Sequence, residues 1–356
     1  MAESLFGLSG EDYWLDPWKG SAEMHETYVL GGKYGIYIDA PASVNSAVHS
    51  TVPVPFFYVA QFREAYKINL TKMAKVIAIR LEDRSFLIEN AITPRDKAAP
   101  EMKVGKDSKD PTSSKKMIDL QTQLGLLYRP GKYRVVVLLQ QQMSNVVETI
   151  VEQKRVQHPD PEAQKFIDSF KLPEIPPPPP PPPSLELRWV RKVDAPLEPL
   201  AGSPPVPAKP GIEMKVDRVV LSKTGASAML KGSFRLPVLK RDLVPERPPN
   251  TDPTVPFMPE YGMPRPVAML PITLVILGSA SAAETVISLS VPTFDAIDPA
   301  LEENVGTGFF AVDLLANPSL RVEAQIFSVY AFCGEFTKGP VLMATVTPDM
   351  LPKPIE

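Results

Sequence analysis

Residues 174–185 read EIPPPPPPPPSL, so Pro176 through Pro183 form eight consecutive prolines. Proline fixes φ and lacks a backbone donor, so such a run predicts polyproline II, rising ~3.1 Å per residue as a stiff rod of roughly 25 Å. More prolines crowd both sides: Pro173 before, then Pro196, Pro199, Pro204, Pro205, Pro207 and Pro210. The run therefore predicts a linker over 173–211 between two folded halves. Just upstream, Asp160-Pro161-Glu162 reads as the start of a short helix that presents Phe166, Ile167 and Phe170 on one face and stops at Pro173.

Working outward, the chain holds 42 prolines in 356 residues. That content excludes a mainly helical protein, since an interior proline removes a helical hydrogen bond and clashes with the preceding turn. The first half reads as β. Thr27–Leu30, Gly31-Gly32 and Lys33–Ile38 predict a hairpin, followed by strands at Val54–Ala60, Val76–Leu81 and Phe86–Ile92. Tyr133–Leu139 (YRVVVLL) is apolar almost throughout and predicts a strand buried on both faces, paired with Val146–Val151. Between these, 98–114 predicts a polar loop, and Met117, Leu120, Leu124 and Leu127 recur at helical spacing.

The second half predicts strands at Val216–Leu221, Ala228–Leu236, Ile272–Leu277, Thr285–Leu289, Leu320–Ile326, Phe327–Phe332 and Val341–Val346, with Gly334 and Gly339-Pro340 as punctuation. The proline-dense stretch from Pro237 to Pro271 predicts a surface excursion. Arg129-Pro130-Gly131 before YRVVVLL resembles Asn317-Pro318-Ser319 before LRVEAQI, which raises an internal repeat that residue identity does not decide. The expected fold is mainly β: two β-sandwich-like (jelly-roll or Ig-like) domains joined by the polyproline linker, with one or two short helices. The expected boundaries are an aromatic N-terminal arm at 1–26, a first sandwich at 27–172, the linker at 173–211 and a second sandwich at 212–356. This plan is similar in architecture to double-jelly-roll virion proteins and to tandem immunoglobulin-like modules, with no motif behind the likeness.

Constellations that carry chemistry are sparse. The single cysteine, Cys333, sits in an apolar run and reads as core packing. His25, His49 and His158 share no metal-ligand spacing, and GxxxxGK[ST], GxGxxG and GxSxG do not occur. The loop carrying Asp295, Asp298, Glu302 and Glu303 offers oxygens of the kind calcium takes, though a solvated loop is the plainer reading. The expectation is no catalytic residues, no cofactor and no metal. No basic n-region precedes an apolar run at the start, and the most apolar stretch, Leu270–Leu277, is too short to span a bilayer. The expected setting is the cytoplasm or an intracellularly assembled particle such as a virion component.

Three features point to assembly. Phe6, Tyr13, Trp14 and Trp18 concentrate in the arm outside any periodic element, as aromatic anchors of an interface do, although packing on their own domain would avoid the entropy of association. Residues 61–157 carry 18 Lys+Arg against 11 Asp+Glu, whereas 242–356 carry 5 against 14, an asymmetry able to steer docking. Candidate contacts are Lys67, Lys72, Lys75, Lys115 and Lys116 on the basic side, and Asp295, Asp298, Glu302 and Glu303 on the acidic side. The rod is the third feature, as a spacer or as a ligand for an aromatic groove. Arg188-Trp189-Val190-Arg191-Lys192 could stack a base, but an acidic chain makes nucleic acid the weaker partner. The function expected is therefore a non-catalytic structural or interaction subunit that assembles with copies of itself or a partner protein. The alternatives are a carbohydrate- or peptide-binding module, or a hydrolase with dispersed carboxylates.

Overall fold

The computed structural model describes residues 4–61, 68–92, 111–153, 201–217, 220–222, 225–239, 242, 268–279, 284–293, 304–316 and 326–343. It is mainly β and divides into two compact units, Met1–Pro180 and Pro181–Glu356.

In the first unit one sheet orders β1 (Gly35–Ile38), β3 (Pro53–Gln61) and β6 (Pro111–Asp119). The facing sheet runs β2 (Ser43–Asn45), β9 (Val147–Glu152), β7 (Gly131–Leu139), β4 (Ala74–Arg80) and β5 (Phe86–Asn90), with β8 (Gln142–Met143) paired to β7. Alternate residues of the two sheets meet: Ile36, Ile38, Val54, Phe56 and Tyr58 pack with Val76, Ala78, Tyr133, Val135 and Val137 in one core. The opposite face of the larger sheet is apolar too, with Ile77, Ile79, Val136 and Leu138 at most 1% exposed, the two-sided burial expected of YRVVVLL. A short helix, Leu120–Leu124, and a 3₁₀ turn, Leu126–Tyr128, connect β6 to β7. The side chain of Asp119 caps that helix. Where the turn enters β7, the buried Tyr133 hydroxyl donates to Arg129 O, the tyrosine-corner arrangement of immunoglobulin-like sandwiches.

The second unit pairs β10 (Gly211–Val216), β13 (Met229–Val238) and β16 (Asn304–Asp313) in one sheet. The other orders β15 (Glu284–Pro292), β14 (Met269–Gly278), β17 (Phe327–Cys333) and β18 (Phe336–Met343). Its core holds Ile212, Leu230, Phe234, Leu236 and Phe310 from the first sheet, against Ile272, Leu274, Ile276, Leu289, Val329 and Cys333 from the second. β11 (Val220–Ser222) and β12 (Gly225–Ser227) pair antiparallel as a separate two-stranded ribbon.

The two units repeat one plan. In chain order β1, β3, β4, β5, β6, β7 and β9 take the places of β10, β13, β14, β15, β16, β17 and β18, and the corresponding pairs are all antiparallel. This order, three strands facing four, is that of an immunoglobulin-like sandwich rather than a jelly roll. The register matches as well. Gly35 pairs with Val59 and Gly211 with Arg235, equal separations along the chain. Asp119 pairs with Pro53, and its Oδ1 accepts from Val52 N and Gln121 N; Asp313 pairs with Met229, and its Oδ1 accepts from Ala228 N and Leu315 N. The strand that corresponds to β7 is β17 (Phe327–Cys333); residues 317–325, where the sequence comparison sets the matching segment, lie outside the described residues.

Other expectations are corrected. Thr27–Leu30 is no strand: a helical turn Ser21–Met24 continues as a π-helix His25–Leu30, and Gly31-Gly32, with Gly32 at φ +65°, ends it. A glycine pair serves a helix end as readily as a hairpin, and the sequence does not distinguish them. The boundary drawn at 26/27 consequently falls inside this helical run. Residues 111–114 belong to β6 rather than a loop, and Met117 lies in that strand, so the helix begins only at Leu120. Gly339-Pro340 lies within β18, whereas Gly334, at φ +54°, makes the turn before it. The helix at 160–173, the polyproline run and the strand expected at 320–325 lie outside the described residues.

Candidate interaction surface

The arm folds back across the outer face of β1–β3–β6. β3 is buried along nearly its whole length because odd positions there have something to meet: Phe57 and Val59, both 0% exposed, pack with Phe6, Leu8, Tyr13, Met24 and Val29. Tyr28 lies 4.1 Å from the Tyr37 ring and 6.5 Å from Phe57. Trp14 stacks on His49 at 3.9 Å, and its indole N–H donates to Thr51 O. His49 also faces the Glu11 carboxylate at 3.8 Å.

A polar latch holds the start of the arm. Buried Asp39, directly after β1, accepts from Ser4 Oγ and from Phe6 N through Oδ2, while its Oδ1 takes Ala40 N. The Tyr13 hydroxyl reaches the same pair; burial pushes its ionisation well above the ordinary tyrosine value, hydrogen bonding to Ser4 opposes this, and the Asp39 charge adds to it. The carboxylate thus satisfies a donor cluster that would otherwise be stranded beneath the arm.

Phe6 and Tyr13 are consequently buried in their own unit and present no free surface, the outcome the entropy argument favours. Trp14 and Trp18 are half-buried. Lys115, exposed on β6, sits 5.7 Å above the Trp18 ring, and Lys33 sits 5.6 Å from the Tyr28 ring. Lys116 is half-buried, Lys72 exposed, and Lys75 buried on β4 at 7%, so Lys75 does not present its charge to a docking partner. Lys67, Asp295, Asp298, Glu302 and Glu303 lie outside the described residues. Around the arm the surface stays apolar: Leu15 is 81% exposed, Leu30 70%, Tyr34 45% and Leu5 39%. Ser4, Asp39, Tyr28, Tyr37 and Phe57 escape the sequence reading, although one signal marks them. Phe56-Phe57 within a strand must point to opposite faces, so the second face needs a cover.

Among the described residues no group of three or more His, Cys, Asp or Glu could hold a metal ion, and no helix is long and apolar enough to cross a membrane. No family model and no curated protein matches the chain. Among solved structures, one described as "Structural basis of neurohormone perception by the receptor tyrosine kinase Torso" aligns over 96% of this chain and 95% of that one, at 7% identity and a TM-score of 0.19, too low to carry an argument.

Proposed function

We propose that this chain is a non-catalytic structural or interaction subunit that assembles with other copies of itself or with a protein partner. The observation that carries the reading is the apolar exposure of the arm and its exit, where Leu5, Leu15, Leu30 and Tyr34 stay exposed; the arm also carries Trp18, with Lys115 over its ring. Exposed aliphatic, aromatic and cationic groups are residue types that protein interfaces use. The opposite charge balances of 61–157 and 242–356 support the same reading. Sedimentation velocity over a concentration and salt series tests it. The expected result is a mass above the monomer that falls with salt; a monomer under every condition, with no protein co-purifying from the source, overturns it.

A second reading has one observation in its favour. Trp18 with Lys115 and Tyr28 with Lys33 pair an aromatic ring with a cation, as a site for an anionic sugar would. Titration of a monomer with acidic oligosaccharides, followed by tryptophan fluorescence, separates it from the first.

A further inference from the structure

The outer face of the three-stranded sheet differs between the two units although strand order and register are the same. Tyr37, Phe57 and Val59 in the first correspond to Glu213, Ser233 and Arg235 in the second. There a short segment suffices as cover: Ser233 Oγ donates to Pro205 O and Lys231 Nζ to Ala201 O. The fold itself therefore does not require an apolar outer face. In the first unit that face is a receptor built for the arm, with its own hydrophobic cluster and the Asp39 latch at one end.

The arm reaches this receptor through a connection exposed at every residue, Gly31, Gly32, Lys33 and Tyr34. Exposed apolar residues sit at that exit, Leu30 at 70% and Tyr34 at 45%. We propose that the arm is exchanged between two copies of this chain, each donating residues 4–30 to the β1–β3–β6 face of the other. Closed and exchanged forms share every arm–sheet contact, so the exchanged form is offset only by association entropy. The two connections running side by side would cover Leu30 and Tyr34, which the closed form leaves in water. Exchange rests on the self-assembly reading above and specifies its geometry.

Equal amounts of isotopically heavy and light full-length chains are refolded together at high concentration and treated with an amine-reactive cross-linker. Lys19 in the arm adjoins Trp18, which lies under Lys115 of β6, so a Lys19–Lys115 link reports which chain supplied the arm. Mixed heavy–light links in the dimer fraction, with deletion of Gly31-Gly32 raising that fraction, are expected. A dimer containing only same-isotope links overturns exchange while self-assembly stands. A monomer at every concentration, with same-isotope links only, overturns both.

Discussion

The ring of Phe310 occupies the space that a side chain on Gly232 would need, and the two residues are cross-strand partners. Two positions along, the arrangement reverses: Phe234 lies over Gly308. Each aromatic covers the backbone of a glycine on the neighbouring strand, so the pair fills the core at a place where two facing side chains would collide.

Adding a methyl group here overpacks the core. Gly232→Ala and Gly308→Ala should each destabilise the chain by about 1–3 kcal/mol in chemical denaturation. Gly211→Ala, whose Cβ meets only Lys209 O at 3.8 Å, is the control and should stay within about 0.5 kcal/mol. Equal effects at Gly232 and Gly211 would contradict the packing.

Thr149 offers the opposite sign. It is 0% exposed, opposite Tyr133, and its Oγ1 has no hydrogen-bond partner among the described residues. Thr149→Val keeps the shape and removes the desolvated hydroxyl, so it should stabilise by about 1 kcal/mol, read as a raised denaturation midpoint at unchanged slope.

Tyr133 makes stability depend on alkaline pH. Burial, opposed by the charges of Arg80 and Arg129, pushes its ionisation up to about 12 from an ordinary value of 10. The folded state favours the neutral phenol, so this contribution is complete below pH 10 and is lost as pH rises towards 12. Tyr133→Phe should remove that dependence and cost about 1 kcal/mol at neutral pH through the lost bond to Arg129 O. Denaturation curves across this alkaline range check both.

The arm's receptor face can be converted to that of the second unit. Phe57→Ser with Val59→Arg should free the arm, raising hydrogen exchange of residues 4–30 by at least about tenfold, while amides of β4 and β7 stay protected. Unchanged arm exchange would place its anchorage elsewhere.

How much of this was legible in the sequence follows from where the physics is local. Strands whose apolar pattern is self-sufficient, such as Val54–Ala60 and Tyr133–Leu139, read correctly because two-sided burial leaves its mark on every residue. β16 did not: Gly306 and Gly308 interrupt its pattern, and they make sense only beneath Thr293, Val238 and Phe234, which come from other parts of the chain. The arm aromatics were visible, but their receptor was not, since the Asp39 latch joins residues more than thirty positions apart. The shared register was hidden for the same reason. It lies in hydrogen bonds from Val52 and Ala228 to Asp119 and Asp313, not in residue identity.

That shared register sets a problem during synthesis. Because β1 and β10 meet their neighbours at equal spacing, the backbone of either could zip onto β3 or β13 in the native register over the four pairs that both ladders share. Such cross-pairing is the characteristic failure of tandem repeats. The outer face discriminates between the outcomes: β10 on β3 would set Glu213 beside Phe57 beneath the arm, leaving a carboxylate among rings. The residues that give the arm its seat thereby also disfavour the pairing of β10 with β3.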